Sequence, residues 1–469
     1  MKANILLQTD SYKPTHWNML PEGTEYVYSY FESRKGAKFN KTPLFGLQFI
    51  LKEYLTGVVV TREKIEYAAA VCKAHFGNEL YFNRKGWEHI LNVHGGKLPL
   101  RIKAVPEGTP VTVNNVLMTV ENTDPKCAWL TNYVESVLTH VWYSSTVAAL
   151  SRSTKEMMSA FLARTSDNPG AVSFMLHDFG YRGATSDEAA AIGGAAHIIN
   201  FLGTDTMVGM QAAAEYYGAS FDGLAYSVAA TEHSIMTSRG ADGEEEILGE
   251  LLDKYPTGIL ATVADSYDIY NYVENLVCKK YKNRILNRDG VLVVRPDSIT
   301  PVHPTPETET LWVVQTLANH FGYTVNSKGF MVLNPKVRVL WGDGIDKDGI
   351  EKILATLEAA KFSAENMVFG MGGGLLQKVN RDTQRFAFKA SAIRRNGQWH
   401  DVYKLPKDLS KASKRGRLAL LHDPVFNVFQ TVKVEEIPSG RKDILETVFE
   451  NGVLVKEYTF NEVRENAKL

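Results

Sequence analysis

The run His177-Asp178-Phe179-Gly180-Tyr181-Arg182-Gly183 combines an imidazole, a carboxylate, two aromatic rings and a guanidinium with two glycines. A strand core has no use for that mixture. A site that grips a flat, polar, partly anionic ligand does: glycine admits close backbone approach, a ring stacks on a planar substrate, and an arginine forks onto oxygens. The competing reading is a loop that closes a buried strand, with Asp178 and Arg182 merely paired.

The elements around this run decide how it is read. From about residue 172 to 390 the sequence repeats a short apolar strand, a polar turn and a helix. Residues 173–176 lead to His177-Asp178, and a helical pattern over 189–199 precedes Gly203-Thr204-Asp205. The helical stretch 212–217 stops at Gly218. Strand 260–263 ends at Asp265, strand 291–294 at Arg295-Pro296-Asp297, and strand 337–340 at Gly342-Asp343-Gly344. Residues 367–369 run into Gly370 and the triplet Gly372-Gly373-Gly374. One such aspartate could be a helix cap. Recurrence at the carboxyl end of strand after strand points instead to the mouth of a βα barrel, where active sites are built. The expected fold class is therefore α/β, an irregular βα barrel over residues 151–390.

Outside that region the pattern changes. Residues 1–150 mix a helix over 62–76 with a β-like run over 98–105, and 128–160 reads as one long helix. Residues 391–469 are strand-like, with Lys404, Lys407, Lys411, Lys414, Arg415 and Arg417 crowded around Gly416. A charge run is often a solvated loop, and the alternative is a cationic flap for phosphates. The chain's 469 residues suit two joined domains, and 44% hydrophobic with 22% charged residues is ordinary for a globular protein. A formal net charge of −1 gives no bulk attraction to nucleic acid or membrane. Cys72, Cys127 and Cys278 show no metal-ligand spacing, so free thiols and no protein metal site are expected. The apolar Ile5-Leu6-Leu7 is far too short for a signal peptide. A cytoplasmic protein is expected.

Several motifs occur in order: Thr9-Asp10-Ser11-Tyr12-Lys13, Tyr28-Ser29-Tyr30-Phe31-Glu32, the opening heptad, Gly203-Thr204-Asp205-Thr206, Asp265-Ser266-Tyr267-Asp268, Arg295-Pro296-Asp297-Ser298 and Gly372-Gly373-Gly374-Leu375-Leu376-Gln377-Lys378. Together they closely resemble the nicotinamide phosphoribosyltransferase family, over essentially the whole chain. The resemblance implies a type II phosphoribosyltransferase barrel beside a second, mixed α+β domain built from both chain ends. It implies a homodimer with shared active sites, and transfer of phosphoribose from phosphoribosyl pyrophosphate to nicotinamide. A pyridine nitrogen has a free lone pair, so no general base is needed; the demand is to hold the ring in line and stabilise the departing pyrophosphate.

By the same resemblance, Phe179 stacks one face of the ring and Tyr12 of the partner subunit the other. Arg182 and Arg295 reach the amide and the phosphorylated sugar, while Asp297 and Asp343 lie near the ribose hydroxyls, suiting an oxocarbenium-like transition state. Asp205 would accept from the carboxamide NH2 of nicotinamide and repel the carboxylate of nicotinate. Gly342, Gly372 and Gly373 would offer backbone N–H groups to the 5′-phosphate. Arg34, Arg381, Lys389, Lys404, Lys411 and Arg417 are candidates for the pyrophosphate, with Mg2+ accompanying that leaving group. His233 matches the histidine that the family phosphorylates from ATP, an adjunct to the glycosyl transfer.

This sequence departs from the family at Ala387, Met371, Ala229 and Ala261, which replace three serines and, at Ala229, a proline. These changes bear on phosphate contacts and the outer tunnel rather than on the base-binding core. The competing readings are a nicotinate-specific enzyme, a non-catalytic binding or signalling protein, and a phosphate-binding barrel lyase or isomerase. The last would need a catalytic lysine at a strand end, and none is clearly placed.

Overall fold

The computed structural model describes residues 4–405, 407 and 412–468. The chain divides into two compact units: residues 1–149, 213–219 and 380–469 form one, and residues 150–212 and 220–379 the other. No helix among the described residues is long and apolar enough to cross a membrane.

The first unit is organised on an antiparallel sheet of seven strands that draws on both chain ends. Strand Thr24–Ser33 lies between Asn115–Asn122 and Phe386–Arg395, and strand Leu100–Ala104 lies between Asn115–Asn122 and Glu446–Glu450. Leu100–Ala104 alternates buried and half-buried side chains, as expected of a strand with one face on a core. Helix Arg62–Phe76 forms where the sequence pattern placed it; the Thr61 hydroxyl accepts from the Lys64 N–H at its start and Gly77 ends it at φ +66°.

Three boundaries differ from expectation. Strand Phe386–Arg395 pairs with Thr24–Ser33 along its whole length, so the second unit ends at residue 379 rather than 390. Residues 213–219 join the first unit because Gln48 and Lys52 donate to the Tyr216 carbonyl, and the Tyr217 hydroxyl donates to the buried Glu107. The stretch 128–160 is not one helix: Leu130–Tyr133 and Glu135–Thr139 are separate turns before the long helix Trp142–Thr165. At the first break the Thr9 hydroxyl donates to the Tyr133 carbonyl, a tertiary contact that periodicity does not reveal.

The second unit is a parallel sheet whose strands run, in spatial order, Gly203–Thr204, Leu176–Asp178, Met367–Met371, Val337–Trp341, Asp289–Arg295, Thr257–Val263 and Ala229–Ala230. Every neighbouring pair is parallel. The two edges meet. Ala229–Ala230 pairs with Leu260 and Ala261, and just before it Tyr226 bridges Gly203, with the Thr204 N–H donating to the Tyr226 carbonyl. The sheet thus closes into a seven-stranded ring, an irregular barrel short of the regular eight. Helices follow the strands with local starts: Ser186 caps Asp187–His197, Thr305 caps Pro306–Phe321 and Asp346 caps Lys347–Ala359.

Candidate active site

Parallel strands all present their carboxyl ends at one rim, so the residues following them are neighbours whatever their sequence separation. Asp178, Asp205, Thr231, Asp265, Arg295, Gly342 and Gly372 occupy such positions.

Phe179 is the floor of this rim. Its ring packs on the buried cluster Ala261, Val293 and Leu340, and its N–H donates to the Met371 carbonyl. Two glycines make room for it: a Cβ on Gly370 would stand 2.0 Å from Phe179 Cε2, and one on Gly342 would stand 3.2 Å from the same atom. Gly342 therefore serves the ring, a role that sequence reading did not give it. Gly373 begins the short helix Gly373–Leu376 in open space, and Gly372 approaches the Phe179 carbonyl.

The Arg295 guanidinium lies 5.4 Å from the Phe179 ring centroid, and its Nε and Nη2 donate to Asp297 Oδ1 at 2.9 and 2.7 Å. The ion pair and the stacked cation are thus the same structure. Asp343 stands near these groups: partial desolvation raises its pKa, the charges of Asp297 and Asp265 raise it further, and Arg295 opposes them. Arg182 sits exposed in the single turn Tyr181–Gly183. It is not paired with Asp178, which is fully buried and accepts from the Gly180 N–H at 2.7 Å. Burial pushes the Asp178 carboxyl up to about 7.

Asp205 is held from two sides. The Ser227 hydroxyl donates to its Oδ1 at 2.8 Å, and His177 Nδ1 lies 3.5 Å from that oxygen. The His177 ring is also 6.3 Å from that of Phe179, so one imidazole touches both the stacking ring and the carboxylate. Sequence reading gave His177 no role of its own and did not single out Ser227. Their contacts cross from strand to strand: His177 reaches Asp205 through the pairing of Leu176–Asp178 with Gly203–Thr204, and Ser227 reaches it where Tyr226 bridges Gly203.

His233 opens the turn His233–Met236, exposed, with Nε2 3.0 Å from Asp265 Oδ1. The other Asp265 oxygen accepts from the Ser298 hydroxyl at 2.6 Å. Asp265 and Ser298 lie in quoted motifs but were given no role; their link to His233 spans more than thirty residues. Glu244 adds a buried acid nearby, its carboxyl pushed up to about 7 by burial and then by Asp268 and Asp265.

The remaining candidates belong to the first unit. Partial desolvation lowers the Lys389 ammonium pKa; Glu135 opposes this, and the charges of Arg34, Lys404 and Arg381 add to it, which places these four cations in one neighbourhood. Arg34 Nε donates to the Arg385 carbonyl at 3.0 Å, and Arg381 is exposed. Arg417 is stacked over Trp399 at 5.2 Å. Lys414, part of the same basic run, is tied to the buried Glu32. Lys411 lies outside the described residues. Tyr12 is 55% exposed, its ring 5.2 Å from that of His16. Of the departures from the family pattern, Ala387, Met371 and Ala261 are buried, and Ala261 packs beneath Phe179.

A family model described as "Nicotinate phosphoribosyltransferase (NAPRTase) family" matches residues 174–452, and one described as "Nicotinamide phosphoribosyltransferase, N-terminal domain" matches residues 4–102. The chain is 45% identical over 471 residues to a nicotinamide phosphoribosyltransferase of Xanthomonas campestris pv. campestris, covering 99% of this chain and 98% of that one. It is 34% identical to the Acinetobacter baylyi protein of that name, over 99% and 97% of the two chains. Among solved structures, the nicotinate-nucleotide pyrophosphorylase of Pyrococcus furiosus aligns with TM-score 0.62 at 15% identity, over 99% of this chain and 95% of that one. Human nicotinic acid phosphoribosyltransferase aligns with TM-score 0.57 at 15% identity, over 98% and 93%. The two structures speak to fold alone. The sequence relationships, running the length of the chain, decide membership: this chain belongs to the nicotinamide phosphoribosyltransferase family.

Proposed function

We propose that this protein transfers phosphoribose from 5-phosphoribosyl 1-pyrophosphate to nicotinamide, giving nicotinamide mononucleotide and pyrophosphate, a step of NAD salvage. The observation that carries this reading is the linkage of Phe179 and Asp205 through His177: a flat hydrophobic face beside an anchored hydrogen-bond acceptor. The pyridine ring stacks on Phe179 while the carboxamide NH2 donates to Asp205. Its nitrogen lone pair forms the bond to the sugar's anomeric carbon as the bond to pyrophosphate breaks, and the leaving group takes that electron pair. Asp297 and Asp343 face the positive charge that develops on the sugar.

The cations Arg34, Arg381, Lys389 and Lys404 suit pyrophosphate, and Tyr12 of the partner subunit is the second stacking face in a homodimer. Mg2+ fits the acidic rim, since Asp297 and Asp343 offer the hard oxygens it prefers, and it would neutralise charge on the pyrophosphate. ATP would act through His233: its γ-phosphoryl group bonds to an imidazole nitrogen, ADP departs, and Asp265 orients the ring and balances its charge. Three buried free thiols fit a reducing cytoplasm.

The test is chromatographic detection of mononucleotide from either base with phosphoribosyl pyrophosphate and Mg2+, with and without ATP. Nicotinamide should be the faster substrate, and ATP should raise its yield. A second reading, nicotinate as the base, is favoured by the family model over residues 174–452; faster turnover of nicotinate would establish it in place of the first.

A further inference from the structure

In the first unit, helix Arg84–Val93 and its C-cap residue His94 face the turn Pro125–Cys127. His89 Nε2 and His94 Nε2 each lie 2.7 Å from the same atom, Asp124 Oδ2. Ligand atoms of His89, Asp124 and Cys127 fall within 4.8 Å of one another. Asp124's other oxygen is taken by the Lys126 N–H at 2.8 Å, and the Asp124 carbonyl accepts from Asn122 Nδ2 at 2.8 Å, so the free oxygen is aimed at the imidazoles by its own backbone. Cys127 is fully buried, while the His89, His94 and Asp124 side chains are 19%, 24% and 15% exposed. The two segments are locked together next to the cluster, where Trp87 and Trp129 pack edge to face at 4.7 Å.

The geometry points to a transition-metal site of the Zn2+ class, built from His89, His94, Asp124 and Cys127. Two imidazole nitrogens, one carboxylate oxygen and one sulfur form a borderline donor set that suits Zn2+ or Co2+ and not a hard ion such as Mg2+. The spacing agrees: His-x4-His follows the histidine half of structural zinc sites, and Asp-x2-Cys follows the other half with an aspartate in place of a cysteine. That replacement hides the site from a search by cysteine spacing. The Lys126 N–H on Asp124 is the outer partner that orients a first ligand in such sites. A carboxylate accepting two imidazole N–H bonds would account for the histidines alone; the thiol within 4.8 Å of the His89 and Asp124 ligand atoms supplies the further donor that a metal site requires.

The test uses the full chain stripped by a chelator and titrated with CoCl2, followed by Zn2+ competition. We expect one Co2+ per chain with a thiolate charge-transfer band in the near ultraviolet, displaced by Zn2+, and a higher Tm in the metal-loaded protein. Cys127→Ser should remove the charge-transfer band. His94→Gln, at a position 24% exposed at the end of its helix, should weaken binding at least ~10-fold. Absence of the band in the native chain, or unchanged Co2+ affinity in His94→Gln, would overturn the site and leave a hydrogen-bonded His–Asp–His cluster.

Discussion

His177 Nδ1 lies 3.5 Å from Asp205 Oδ1, the oxygen that also accepts from the Ser227 hydroxyl. The negative carboxylate group is thereby fixed through one oxygen beside the Phe179 face. A bound nicotinate would set its own carboxylate against that charge, while nicotinamide sets an NH2 there. Asp205→Asn removes the charge and keeps the shape. The ratio of kcat/KM for nicotinamide over nicotinate should fall at least ~10-fold, about 1.4 kcal/mol. An unchanged ratio would show that another residue reads the amide.

Gly370 touches the other side of the site. A methyl group there would stand 2.0 Å from Phe179 Cε2, against a ring already seated on Ala261, Val293 and Leu340. Gly370→Ala must therefore move the ring, at a cost of roughly 1–3 kcal/mol in stability. Because the displaced ring is the stacking face, KM for nicotinamide should rise while KM for phosphoribosyl pyrophosphate changes little. Gly373→Ala is the stability control, since nothing lies within 4 Å of a Cβ at that position. Parallel thermal melts and substrate titrations of the two variants check both statements.

The contrast between these residues explains what the sequence revealed. Asp205, Arg295 and Asp343 were legible because each lies at or just past the carboxyl end of a short strand, Asp205 after Gly203-Thr204 and Asp343 one glycine beyond Trp341, and parallel strands bring such positions to one rim. The partners Ser227, Asp265 and Ser298 were not. Each reaches its target from another strand end: Ser227 meets Asp205 only once Tyr226 bridges Gly203, while Asp265 and Ser298 are brought to their partners by the pairing of Thr257–Val263 with its two neighbours. The glycines were legible as turns, but the space that Gly342 and Gly370 provide depends on where Phe179 points. Within the basic run near the C-terminus, the sequence does not show that Lys414 is tied to Glu32 or that Arg417 lies on Trp399. Periodicity also extended one helix across 128–160, where tertiary hydrogen bonding interrupts it.

His233, Asp265 and Ser298 form a chain, with Nε2 3.0 Å from Asp265 Oδ1 and the Ser298 hydroxyl 2.6 Å from Oδ2. If ATP acts through His233, the imidazole must carry the phosphoryl group while Asp265 fixes its orientation. His233→Ala should bring the ratio of synthesis with ATP to synthesis without it to about one, while ATP-independent synthesis persists. Asp265→Asn should lower the same ratio and reduce incorporation of label from γ-labelled ATP. Full coupling in His233→Ala would remove the histidine from the ATP step.

Asp178 links the site to stability through pH. Burial raises its carboxyl to about 7 against 3.8 in an ordinary setting, while the Gly180 N–H and the Thr206 hydroxyl oppose the rise. A group whose folded pKa is raised binds more protons in the folded state. Its favourable contribution is complete below about 3.8 and is lost as pH rises through about 7. In full the shift corresponds to about 4 kcal/mol at most. Asp178→Asn keeps an oxygen for the Gly180 N–H, carries no charge, and turns an amide NH2 toward the Thr206 hydroxyl. The variant should therefore gain stability relative to the native chain across pH 4 to 7, most strongly at the upper end. Denaturant melts at pH 5, 6 and 7 measure this directly: the difference should grow with pH, and a constant offset would mean that Asp178 is already ionised in the folded protein.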